Sequence, residues 1–515
     1  MKKKGTRPGA ATSTTGIPRV FPFFLFLLFL AVAGSGFTAS AQDEVPSRHI
    51  NVGIAAEPGG LDITVSSAAA LVEIAAGNIY ECLTAIDRNG RLKPALAESW
   101  QVSTDLLQHT FTLRHGVKFH DGSDFTAADV VFTVEKALAG PDTEAKKIFE
   151  DIQYVFAVED TVVKFRLKKP NGLLARNLSG FAAAIVSKNN SKDNALVPNG
   201  TGPYRFDSRR KREYIRLRRF DGYHGRIAYF ESADFVFAKD SETAVFRLEE
   251  GEIDFFPNFP WPESLNALRS NPALRVETGN SEIKLIAVLN NAGNIFSNPG
   301  FRRAATMAVD KQEIIDAVTS GLANPIGSHY SPHLPGYVDL NDLIPYDPAG
   351  AKKIVNAGKR KLPALRFPVP PPGFFKQTAD LLIPMLEKAG FSVKRTDPDW
   401  QEWQEQIYRK RNYDITLLAY PNQDGLDLYA RRDYFFGYAN KIYRKIFENY
   451  EQEQDESLRA LWLESLQRKI SADAANIFLF LFPKITVSKA ELTGFRTDGT
   501  TRANLLAEIY PKKAP

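Results

Sequence analysis

The chain has 515 residues and one cysteine, Cys82. A lone cysteine excludes an intramolecular disulfide framework, a cysteine-based zinc site and a CxxC redox pair. No GxGxxG follows a strand-like segment, and no P-loop, GxSxG or HExxH occurs. The sequence therefore offers no phosphate cradle, no nucleophile elbow and no zincin helix. No catalytic residue and no cofactor is singled out. A secreted enzyme with scattered residues stays open as a rival, because such constellations are recognised by geometry. Histidine is sparse. His329 and His333 lie four apart, but Pro332 between them keeps them off a shared helical face; they remain the weak metal alternative. Segments of about 20–50 residues do not repeat, which excludes a solenoid or propeller.

Acidic residues are missing from the first 41 positions, which carry Lys2, Lys3, Lys4, Arg7 and Arg19. An apolar run from Val20 to Ala33 follows, and the segment closes on Ala39-Ser40-Ala41. A basic start, a short apolar run and an A-x-A site predict a signal peptide at 1–41. The apolar run is too short for the ~20 residues that span a bilayer, and Pro22 shortens its helical part. The expected protein is exported to a Gram-negative periplasm. The leader's five cations account for the whole formal charge of +5, with 65 Lys and Arg against 60 Asp and Glu. The remainder is formally neutral, which argues against a nucleic-acid partner. The densest basic run, 209–219, is read as a solvated strand face, with docking on a membrane protein or anionic lipid as its alternative. In an oxidising compartment the lone Cys82 is expected to be buried and inert.

Along the rest of the chain, 66–83 reads as a helix and 152–168 as a hairpin. Thr126 and Asp129 form a capping-box pattern before an apolar stripe ended by Gly140-Pro141. Asn298 with Pro299, and Asp310 with Glu313, start two further helices. From 283 to 420 strands and helices alternate, which predicts an α/β region with a largely parallel sheet. Helices are expected at 399–410, 440–451 and 456–470, and two short strands within IFLFLFPKITVSK.

Seven segments in order resemble the extracytoplasmic solute-binding proteins, family 5, of peptide- and nickel-type ABC importers. They begin with Glu57-Pro58-Gly59-Gly60-Leu61-Asp62 and Tyr80-Glu81-Cys82-Leu83. Gly90 to Trp100 (GRLKPALAESW) and Phe111 to Gly122 (FTLRHGVKFHDG), running into Phe125 to Val130, carry the strongest likeness. Gly200-Thr201-Gly202-Pro203-Tyr204, Phe301 to Asp310, and Tyr346-Asp347-Pro348 continue it. Two departures are Ile63 for the usual proline and Cys82 for the usual glycine.

The resemblance implies an α/β, two-lobed periplasmic binding protein fold of the large peptide-binding class with an extra inserted subdomain. The implied first lobe is 45–82 and 196–280, with an inserted subdomain at 83–195 and a C-terminal return at 482–515. The second lobe is 281–481. It further implies a non-catalytic, monomeric protein that closes on a short peptide and passes it to an inner-membrane permease with ATPase subunits. Nickel, haem, an opine or a saccharide are the alternative ligands, and a folding helper or surface interaction protein a third class. In peptide-binding relatives an Asp in a segment like W-x-x-D-x-x-D-P pairs with the peptide α-amino group. By that likeness Asp424 is the ammonium anchor, with Asp427 behind it and Tyr420 in the tryptophan's place. Trp400 and Trp403, three apart on one helix, are candidate contacts or core residues. Arg431 or Arg432 could hold a carboxylate. The loop 323–337 could line the cleft mouth.

Overall fold

The computed structural model describes residues 48–512 except 67, 142, 190–193, 358–361, 422–424 and 500–504. A nine-stranded mixed sheet runs through it. Its order is Ile415–Tyr420, Leu274–Leu289, Ile477–Lys489, Phe255–Phe256, His49–Ile54, Ser232–Phe237, Tyr214–Arg219 and Tyr204–Arg210, with Asn324–Pro325 also beside Ile477–Lys489. His49–Ile54 pairs in parallel with both of its neighbours. Its apolar residues Ile50, Val52 and Ile54 are buried, alternating as a strand requires.

Two strands are much longer than the rest. Leu274–Leu289 has 16 residues and Ile477–Lys489 has 13, and they pair antiparallel over most of that length. The register shifts between Asn280 and Lys284, where Pro483 stands opposite Asn280. Proline has no N–H for the ladder, so a bulge at this point is the expected response. On one side of the shift Ile477–Lys489 pairs with Phe255–Phe256; on the other, Leu274–Leu289 pairs with Ile415–Tyr420. The two short strands expected around Pro483 are thus one continuous strand.

A separate four-stranded antiparallel sheet has the order Ala97–Val102, Gln108–Leu113, Val162–Leu167, Ile152–Glu159. Helix Ala127–Ala139 packs on it, burying Val130, Val134 and Ala137 against Phe111, Val163 and Phe165. The capping box forms: the Thr126 N–H donates to Asp129 Oδ2 at 3.0 Å. Asn298 and Asp310 cap their helices as expected.

Four further expectations need correction. The helix in 66–83 covers only Ala69–Ala75, because Gly77 turns the chain with φ +67°. Among the described residues of 283–420, parallel pairing is confined to Leu365–Pro368 with Val393–Thr396; Leu274–Leu289 and Ile415–Tyr420 are antiparallel. Alternation alone does not distinguish these arrangements, since the connections decide them. The segment expected as a helix over 399–410 is helical at Trp400–Glu402 and π-helical at Trp403–Arg409. The basic run is also more than a solvated face. Arg216 is buried and forks onto Asp234 at 2.7 and 2.8 Å across the sheet. Arg209, Arg210, Arg218 and Arg219 each pair with a carboxylate, so most of the run's charge is answered within the fold.

Candidate functional site

A cleft of about 1960 Å³ opens beside the register shift of the long strands, where Glu282 reaches its wall. One wall comes from 65–95, 143–182 and 223–226, with 496–510 beside it; the other comes from 420–451. The segments that carry the two walls also touch outside the cleft. Gly172 N–H donates to Glu451 O at 2.7 Å, while Leu173 packs on the aromatic core around Tyr429. At the turn before Leu92, Gly90 sits so close to Pro335 that an added Cβ would lie 2.5 Å from it.

Sequence explains part of the first wall. Gly200 and Gly202 press against the backbone of Asn78 and Ile79; a Cβ on Gly202 would stand 2.3 Å from Asn78 O. That close approach places Thr201, whose hydroxyl donates to Glu81 Oε2 at 3.0 Å. Tyr223 donates to Glu81 Oε1 at 3.0 Å, and His224 Nε2 lies 2.9 Å from Oε2. Burial, and then the Glu81 charge, raise the Tyr223 hydroxyl above its ordinary value. Next to this group Cys82 is half-buried on the cleft wall, outside any helix, and its thiol donates to Gly180 O at 3.3 Å. Burial and the neighbouring Glu81 push the thiol up to about 12, so it stays protonated at neutral pH.

Charge on the described walls is balanced: ten carboxylates stand with ten Lys and Arg side chains. Glu451 is strongly perturbed. Burial pushes it up to about 7, opposed by Lys169 and reinforced by Asp151, Asp427 and Glu448. Lys169 is 3.1 Å from Asp151.

The candidate residues separate into two sets. Tyr420, Asp427 and Arg431 line the cleft, and Arg431 pairs with Asp427 at 3.0 Å. Asp424 lies outside the described residues. Trp403 is not on the wall. It is buried against Phe435, and its indole N–H donates to Thr416 at 3.2 Å. Trp400 is exposed and stacks edge-on against Trp403, and Arg432 is exposed away from the cleft. Both helix periodicity and aromatic content fit core packing here as well as they fit a ligand role. The loop 323–337 contributes Ile326, Tyr330 and Leu334 to the core and no wall residue.

His329 is fully buried among Tyr420, Tyr429, Phe436 and Phe478, with Nδ1 3.0 Å from the Tyr429 hydroxyl. Burial holds its pKa well below the ordinary value. Among the described residues no group of three or more His, Cys, Asp or Glu is placed to hold a metal ion. Wall residues that sequence reasoning missed include Glu81, Tyr223, His224, Arg88, Arg226, Arg496 and Glu508. They sit on turns and loops and meet across separations as large as 420 residues, so no local periodicity marks them.

Comparison with known proteins agrees with this architecture. The family described as bacterial extracellular solute-binding proteins, family 5 Middle, matches residues 91–442. The glutathione-binding protein GsiB of Salmonella paratyphi A is 28% identical over 340 residues, 64% of this chain and 65% of that protein. The match thus spans just under two thirds of that relative's length. The substrate-binding protein CtaP of Listeria monocytogenes, an ABC transporter component, superposes with a TM-score of 0.77 at 23% identity, covering 90% of this chain and 99% of that one. The periplasmic binding protein DppA of Helicobacter pylori, solved with the peptide STSA, gives 0.73 at 22%, covering 90% and 98%. Among the described residues no helix is long and apolar enough to cross a membrane. With its two-lobed α/β fold and the family match over most of its length, the chain belongs to family 5 of the bacterial extracellular solute-binding proteins.

Proposed function

We propose that this chain is the substrate-binding component of an ABC importer that captures a short peptide in the cleft. It closes over the peptide and delivers it to an inner-membrane permease with its ATPase subunits. It works as a periplasmic monomer, exported by a leader cleaved after Ala41. The observation that carries the reading is the cleft. Equal numbers of carboxylates and cations on its walls suit a zwitterion. Its volume of about 1960 Å³ exceeds the roughly 300–1,000 Å³ of common small-molecule pockets, which leaves room for several residues and bridging water. The relatives support peptide chemistry, since one is named for glutathione and another holds the peptide STSA.

In this reading the lobes are 45–280 with 482–515, and 281–481, with 83–195 inserted in the first. Closure bends the two long strands at their register shift between Asn280 and Lys284. Asp424 and Asp427 receive the peptide ammonium, flanked by Tyr420, while Arg431 orients Asp427. Titration calorimetry with a library of di-, tri- and tetrapeptides, glutathione included, tests the proposal. Micromolar or tighter binding of at least one member is expected, and silence across the library overturns it. Asp424→Ala should weaken that binding about tenfold or more, and unchanged affinity would remove the anchor assignment.

A further inference from the structure

One part of the cleft wall carries positive charge that the fold leaves unanswered. Three guanidiniums reach it from distant segments. Arg88 stands on the turn between Thr84–Ile86 and Leu92–Pro94, Arg226 follows Gly225, and Arg496 follows the strand Leu492–Thr493. Glu508 serves two of them, accepting from Arg88 Nη2 at 2.9 Å and from Arg496 Nη2 at 3.1 Å. Arg88 Nη2 also donates to Gly494 O at 2.8 Å. Its Nε and Nη1 have no hydrogen-bond partner among the described residues, and the side chain is 56% exposed. Arg226 is exposed and makes no ion pair among the described residues; its guanidinium carbon lies 5.6 Å from the centre of the Tyr510 ring. Burial alone would raise the Glu508 carboxyl, but Arg496 and Arg88 hold it below its ordinary value, so it stays charged. The unused donors of Arg88 and the unpaired charge of Arg226 among the described residues give this wall exposed positive charge.

A guanidinium with free donors on one edge presents a planar fork, which matches the two oxygens of a carboxylate. Glu508 and Tyr510 restrict the two exposed arginines, which lowers the entropy lost when a ligand is gripped. We infer that Arg88 and Arg226 form a carboxylate subsite of the cleft, braced by Glu508 and Tyr510, and that it holds the C-terminus of the bound peptide. The inference rests on the peptide reading above. Every member comes from the segments assigned there to the first lobe. The subsite is therefore complete before closure, and the carboxylate docks first.

The test takes the tightest-binding member of the peptide library and compares three forms by calorimetry: the free acid, its C-terminal amide, and an amide carrying a glutamate side chain. For the parent protein the amide should bind about 10- to 100-fold more weakly than the acid. In Arg226→Gln and Arg88→Gln that gap should shrink to less than about threefold, with thermal melts unchanged. Equal binding of acid and amide by the parent overturns the subsite and leaves the peptide reading standing. An undiminished gap in both variants overturns the assignment to these arginines. Recovery by the glutamate-bearing amide keeps a carboxylate subsite and overturns its assignment to the C-terminus. Silence of the whole library overturns the peptide reading and the subsite together.

Discussion

Glu81 accepts hydrogen bonds from Thr201 and Tyr223 and lies within hydrogen-bond distance of His224, so removing its carboxylate strands several half-buried polar groups at once. Glu81→Ala should lower stability by about 1–3 kcal/mol in urea denaturation, the cost of leaving such groups unpaired. Glu451 gives a pH-dependent counterpart. Its carboxyl titrates at about 7 in the fold, against an ordinary value of 4.5. Between those values the folded protein keeps a proton that the unfolded chain has lost. Stability from this group therefore falls as pH rises from 4.5 through about 7. Glu451→Gln should be more stable than the parent at pH 8, with the difference shrinking toward pH 5. A pH-independent difference in urea midpoint would exclude Glu451 as its source. Glu81 stands in a family-like segment and Glu451 in none, and for both the partners that give the residue its role arrive from elsewhere in the chain.

At the scale of elements, starts and stops were legible where local chemistry controls them. Thr126 with Asp129, Asn298 with Pro299, and Asp310 all sit at the helix starts their side chains predict. Elements governed by distant packing were not. Pro483 reads as a strand break, yet the strand continues because Leu274–Leu289 supplies hydrogen bonds on both sides of it. The segment Trp403–Arg409 has a helical pattern but winds as a π-helix, with Trp403 buried against Phe435. Trp403→Ala should therefore cost about 3–5 kcal/mol of stability, as large-to-small changes in a packed core do. Peptide affinity should stay within about twofold at temperatures where the variant is folded. A selective loss of affinity without loss of stability would return Trp403 to the ligand site.

At the scale of the molecule, two long strands cross between the two halves of one sheet, and the cleft lies beside their register shift. If closure bends this region, small-angle scattering should show a smaller radius of gyration when saturating peptide is added. An unchanged radius would mean that the walls do not move on binding. The sequence by itself determined the family, the α/β class and the formal neutrality of everything after residue 41. These are properties of composition and of short turn and cap motifs, each of which acts over a few residues. Tyr420 and Asp427, singled out through the resemblance, and Arg431, singled out for its guanidinium alone, all line the cleft, because they share one short segment after a strand. Only the tertiary structure decided which charged side chains face the cleft together. The pairing of Arg88 with Glu508 and of Glu81 with His224 depends on chain crossings that no local pattern encodes, because a loop's path is set by the elements it joins.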